Sequence, residues 1–203
     1  MEPQLPATVS ISMNGTTWVS TMSVEAGILP RRTVADGHSL TLNDPAVLAI
    51  TDFTREYPVT VEAERQIDDA LNDMVGLGVR ALLVRRDQRV VGLITSYDIQ
   101  GERPIQFLQS SNYRHRRDIC VADIMTRWDA LKAIRWSTLQ SMYAGDLLHL
   151  LQEANLTHAI VVELHRGAPC VVRALVSRAR LMRQLMEVEP SELQGQTETR
   201  ELK

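Results

Sequence analysis

Between Glu64 and Val75 the apolar residues Ile67, Ala70, Leu71 and Met74 recur at spacings of three and four, which predicts a helix with one buried face. Gly76 and Gly78 follow as its stop, since glycine enters the left-handed backbone region at no steric cost. The run Val79-Arg80-Ala81-Leu82-Leu83-Val84 reads as a buried strand, Asp87-Gln88 as a turn, and Arg89 to Ile94 as a returning strand. Ser96 to Gln100 begins another helix. The second half repeats this order. Gly145-Asp146 opens a helix with Leu147, Leu148, Leu151 and Ala154 on its apolar face, and Asn155 stands where Gly78 stood. His158 to Val162 is the matching strand, and a hairpin around Arg166-Gly167 leads to Val171–Val176, Ser177 and a helix through Met186. The offset between the halves is 77 residues from Gly78 to Asn155 and 82 from Thr95 to Ser177, so the second hairpin is five residues longer. The pattern is an internal duplication.

The repeats divide the chain into an arm (1–45), a first repeat (46–112), a linker (113–120), a second repeat (121–187) and a polar tail (188–203). The arm is rich in Ser, Thr, Gly and Pro and is expected to be loosely structured, packing onto the body through Trp18. The tail is expected to fray.

Composition narrows the function. A chain of 203 residues, 44% hydrophobic and 23% charged, is that of an ordinary globular protein. The net charge of −3 argues against a dedicated polyanion binder. Two distant cysteines, Cys120 and Cys170, suggest neither a disulfide framework nor a zinc site, and point to a reducing cytoplasm. The start Met-Glu-Pro-Gln-Leu-Pro lacks the regions of a signal peptide, and no apolar run approaches the ~20 residues of a membrane helix. Arg114-His115-Arg116-Arg117 is the one dense basic run, and without interleaved aromatics it reads as a solvated linker rather than a nucleic-acid grip. Asp68, Asp69 and Asp73 read as the polar face of a helix. Trp128 and Trp136 flank an extended stretch and are expected at the sheet or dimer surface. No GxSxG, HExxH or Walker A run is present, so enzymatic activity is not expected and no cofactor is required.

One stretch carries chemistry. In Gly92-Leu93-Ile94-Thr95-Ser96-Tyr97-Asp98-Ile99 a buried strand ends in hydroxyls and a carboxylate. A strand-to-helix junction offers backbone N–H groups to an anion, a hydroxyl at Thr95 or Ser96 can add a donor, and Asp98 can accept from a vicinal diol. The plainer reading is that Thr95 caps the helix and Asp98 sits in its first turn. Both readings can hold together.

These residues resemble a known family. The order of helix, glycine, short apolar strand, turn and G-h-h-T-x-x-D-h is similar to a cystathionine-β-synthase (CBS) domain, and two in tandem resemble a CBS pair, or Bateman module. Val121-Ala122-Asp123-Ile124-Met125-Thr126 is similar to the lead-in of such a repeat. The resemblance implies an α+β fold of α/β type: two β-α-β-β-α units packed sheet to sheet about a pseudo-twofold axis, with two clefts between them and a tendency to form homodimers. It implies that Thr95 and Asp98 face an adenine nucleotide (AMP, ADP or ATP), and that Arg80 faces its phosphate. The second copy departs from the pattern. It keeps a hydroxyl as Ser177 but has Ala174 for the glycine and Arg180 for the carboxylate. Arg180 cannot accept from a ribose; it either pairs with a more phosphorylated ligand or lies solvated. His158, at the start of the second strand, either touches phosphate or is bonded locally. The expected function is a regulatory, nucleotide-sensing module acting on an unknown partner protein. The competing one is a scaffold module with empty clefts.

Overall fold

The computed structural model describes residues 10–13, 16–20, 40–111 and 115–186. A short hairpin, β1 (Ser10–Met13) and β2 (Thr16–Ser20), comes first. The first lead-in is a 3-10 turn at Ala46–Leu48 followed by β3 (Thr51–Asp52). The first repeat contains β4 (Thr60–Glu62), α1 (Ile67–Leu77), β5 (Ala81–Arg86), β6 (Arg89–Thr95), α2 (Ser96–Gln100) and α3 (Arg103–Ser110). A second lead-in, α4 (Val121–Ile124) and β7 (Thr126–Arg127), precedes β8 (Lys132–Arg135), α5 (Trp136–Gln140), α6 (Ala144–Glu153), β9 (His158–Glu163), β10 (Val171–Ser177) and α7 (Arg178–Met186).

The helices form where the apolar spacing places them. Ile67, Ala70 and Met74 of α1 are buried, as are Leu147, Leu150 and Leu151 of α6. Gly78 ends α1 in the left-handed region, at φ 66°, and Asn155 adopts φ 49° at the equivalent place. Gly76 lies inside α1 and stops nothing, contrary to the sequence reading.

The strands form two sheets, ordered β4-β5-β6-β7 and β1-β2-β8-β9-β10-β3. In each repeat the entry strand pairs parallel with the next one, β4 with β5 and β8 with β9, and a hairpin follows. The lead-ins are exchanged. β3, ahead of the first repeat, pairs with β10 of the second, and β7, ahead of the second, pairs with β6 of the first. Ala46, Ala49 and Ile50 accordingly bury among the second repeat's helices, and Ile119, Val121 and Ile124 among the first's.

Alternation along the strands builds three apolar layers. Leu82 and Val84 face α1, whereas Ala81 and Leu83 face the opposite sheet. Likewise Ala159 and Val161 face α6, whereas Ile160 and Val162 meet the first sheet. Phe53 and Trp128, at matching places in the two lead-ins, sit in this middle layer. Burying a side chain of this size stabilises by about 1.5–3 kcal/mol.

Three expectations need correction. The arm is not irregular throughout: β1 and β2 extend the second sheet, with Trp18 opposite Ile134. The alternation from Ser10 to Met13, and Asn14-Gly15 before Thr16, is the sequence signal for such a hairpin. Trp128 is buried between the sheets rather than at a surface. Trp136 is half-buried and stacks under the Arg173 guanidinium, 4.4 Å from the ring centre. Arg114 of the basic run lies outside the described residues. Arg116 is tied down, donating to the Ile99 carbonyl at 2.9 Å and to Asp68 at 2.9 Å.

Candidate functional site

β6 delivers Thr95 to the N-cap of α2, where its hydroxyl is buried and reciprocally bonded to Asp98. The Asp98 N–H donates to Thr95 Oγ1 at 3.2 Å, and Asp98 Oδ2 accepts from the Thr95 N–H at 2.8 Å and from its hydroxyl at 2.7 Å. This capping box is the plainer reading of Thr95 and Asp98, realised in full. The Ser96 N–H donates to the Arg80 carbonyl at 3.0 Å, so the helix start is less open to an anion than the sequence reading held. The other oxygen, Asp98 Oδ1, is held by Arg103 Nη1 at 3.1 Å. The same nitrogen donates to the Ile124 carbonyl at 2.8 Å and lies 3.2 Å from Thr126 Oγ1, so α2, α3 and the second lead-in meet at one guanidinium.

Asp98 and Arg80 both stand close enough to His158 for their charges to act on it. Burial pushes the His158 imidazole down to about 4; the Asp98 charge pulls it up and the Arg80 charge pushes it down. His158 Nδ1 lies 3.1 Å from Thr157 Oγ1, the local contact foreseen for it. The fold thus brings Arg80, Thr95 and Asp98 of one repeat together with His158 of the other.

Ser177 and Arg180 form the equivalent junction, and it is built differently. Ser177 Oγ accepts from the Arg180 N–H at only 3.4 Å, with no carboxylate to close a capping box. Arg180 is not solvated: Nη1 donates to Thr51 Oγ1 at 2.7 Å and Nη2 lies 3.6 Å from Glu56 Oε1. The expectation of a free helix residue is corrected by these contacts, which the exchange of β3 makes possible. Thr51 and Thr126 hold matching places in the two lead-ins, so each junction ends with an arginine on a lead-in threonine.

Sequence reasoning missed Arg103, Thr51 and Glu56. Their partners lie across the exchanged lead-ins, and no local spacing announces that. Among the described residues no three His, Cys, Asp or Glu side chains gather as a metal site requires. No described helix is long and apolar enough to cross a membrane.

Residues 50–103, which include Arg80, Thr95 and Asp98, match the family model of the CBS domain. No curated protein matches the chain. An uncharacterized conserved protein from Pyrococcus horikoshii is similar in structure, with TM-score 0.50 and 20% identity over 71% of this chain and 93% of that one. CBSX2 in complex with AMP aligns at TM-score 0.49 and 23% identity, over 71% and 97% of the two chains. The CBS domain of the bacterial CNNM/CorC family Mg2+ transporter in complex with ATP aligns at TM-score 0.48 and 18% identity, over 71% and 89%. At 20% identity the likeness to the Pyrococcus horikoshii protein is one of fold alone. Residues 50–103 thus match the CBS domain, and the chain as a whole is similar in fold to the Pyrococcus horikoshii protein.

Proposed function

We propose that the chain is a regulatory module that binds an adenine nucleotide in the cleft at Asp98 and passes its occupancy to a partner protein. One observation carries this reading: a carboxylate, oriented by the Thr95 hydroxyl, and the Arg80 guanidinium both act on His158, which comes from the opposite repeat. A carboxylate beside a cationic side chain suits a ribose diol and its phosphate. A ligand spanning the repeats shifts their relative arrangement only by its differential affinity for the two arrangements. A CBS pair is as a rule a regulatory unit, and we assign it no reaction. We place the module in the cytoplasm and read it as a homodimer, because Val75 and Leu77 of α1 and Tyr97 of α2 are exposed on adjoining helices.

The rival reading is a scaffold whose clefts stay empty, and the contacts of Arg180 with Thr51 and Glu56 favour it for the second cleft. Thermal unfolding with AMP, ADP, ATP, NAD and S-adenosylmethionine separates the two. A ligand at a hundred times its Kd adds about 2.7 kcal/mol of stability, a shift of several degrees. The nucleotide reading expects that shift with an adenine nucleotide; unchanged melting with every compound overturns it.

A further inference from the structure

We infer that Arg103 is a built-in competitor for Asp98, so that a ribose diol enters the first cleft only by displacing a guanidinium of the chain itself. The inference rests on the nucleotide reading above and deepens it. A carboxylate that binds a diol needs a free acceptor oxygen. Asp98 Oδ2 is consumed by the capping box, with 2.7 and 2.8 Å bonds, and Oδ1 is ion-paired with Arg103 Nη1 at 3.1 Å. Asp98 is 13% exposed and Arg103 is 44% exposed. The carboxylate is fixed, and the guanidinium is the partner able to move.

Arg103 also has somewhere to go. It borders an open groove of 430 Å³ between α3 and the second lead-in, lined further by Gln106, Phe107, Asp123 and Met125. Asp123 offers a carboxylate on that side. One of its oxygens caps α4 by accepting from the Cys120 N–H at 2.8 Å, which leaves the other as the acceptor that a guanidinium moving into the groove would take. Arg103 therefore has two berths, Asp98 and the groove, and a ligand at Asp98 selects the second.

The second cleft shows the same contact made permanent. Its guanidinium, Arg180, comes from the position equivalent to Asp98 and meets Thr51, as Arg103 meets Thr126. The position equivalent to Asp98 holds no carboxylate for a diol to claim. The first cleft is thus held by a removable plug and the second by a fixed one.

Displacement has a consequence beyond affinity. Arg103 Nη1 also holds the Ile124 carbonyl, so its departure unties α3 from the lead-in of the second repeat. The occupied cleft then loosens the segment joining the repeats, where a bound ligand would ordinarily tighten its surroundings.

The test is calorimetric titration of the full chain with AMP, for the wild type and for R103Q and R103K. Removing a competitor of this kind tightens binding about three- to tenfold, since the competent state is then no longer a minor fraction. R103K, which lacks the fork that reaches several acceptors, is expected to fall between the two, and stands in for R103Q should that variant not fold. Hydrogen exchange in α3 of the wild type should quicken on AMP binding. Binding by R103Q alone would overturn the removable plug, because AMP would then not displace it. Wild-type binding with unchanged or weaker affinity in R103Q and R103K overturns the plug and leaves the nucleotide site standing. No binding by any of the three overturns both.

Discussion

Asp98 and Arg180 hold equivalent positions one repeat apart, yet the first closes a capping box on Thr95 and the second reaches away to Thr51 and Glu56. The difference follows from hydrogen-bond capacity, because a carboxylate can accept from its own N-cap backbone and a guanidinium cannot. His158 is the titrating group beside Asp98. Its ordinary value of 6.5 falls to about 4 in the fold, chiefly through burial. Between those values the unfolded chain takes up a proton that the native state refuses. The contribution of His158 to stability is therefore whole above pH 6.5 and is lost as pH falls towards 4, at most about 3 kcal/mol. Asp52 acts lower: burial alone would raise its carboxyl, but hydrogen bonds from Arg173 and Thr54 hold it below 3.8, so its contribution fades beneath that pH. Unfolding free energies of His158→Gln should show a flatter slope than the wild type from pH 6.5 to 4; an unchanged slope would contradict the buried neutral imidazole. The Thr95–Asp98 pair was legible in the sequence because a cap is written by residues three apart. Arg103 was not, because its role depends on Ile124 and Thr126, which a linker separates from it.

Helices α1 and α6, both hairpins and the five-residue difference between them follow from apolar spacing and glycine or asparagine stops. The exchange of β3 and β7 does not, since two-residue strands carry no periodicity and their partners lie in the other repeat. One trace of it was present. Gly92 is glycine because β7 crosses there: an added Cβ would lie 2.6 Å from the Thr126 carbonyl oxygen and 2.7 Å from Met125 Sδ. The first of those atoms is backbone, so β7 itself would have to move. Gly92→Ala should cost about 1–3 kcal/mol in urea unfolding, the usual penalty of forcing extra volume into a packed place. An unchanged midpoint would mean that β7 is not seated on β6. The hairpin of β1 and β2 was missed for another reason: a Ser- and Thr-rich composition hid an alternating pattern broken by Asn14-Gly15.

Two duplicated halves, each completed by a strand from the other, make one body whose middle layer holds Phe53 and Trp128 from the two lead-ins. That exchange ties the halves together, so the proposed nucleotide would act on both. Outside the body, Val75 is 75% exposed and Leu77 61% exposed, which is costly for apolar residues on a helix unless a second copy covers them. Sedimentation at micromolar concentration should give the mass of a dimer, and Val75→Glu with Leu77→Glu should give a monomer; a wild-type monomer would refute the pairing. The plainest trial of the nucleotide reading counts bound nucleotide per chain. Equilibrium dialysis with radiolabelled AMP should find one per chain in the wild type and in Ser177→Ala. Asp98→Ala should bind roughly ten- to a hundredfold more weakly, since a bond to a charged acceptor contributes about 1.5–3 kcal/mol. Two nucleotides per chain, none at all, or undiminished binding in Asp98→Ala would contradict it.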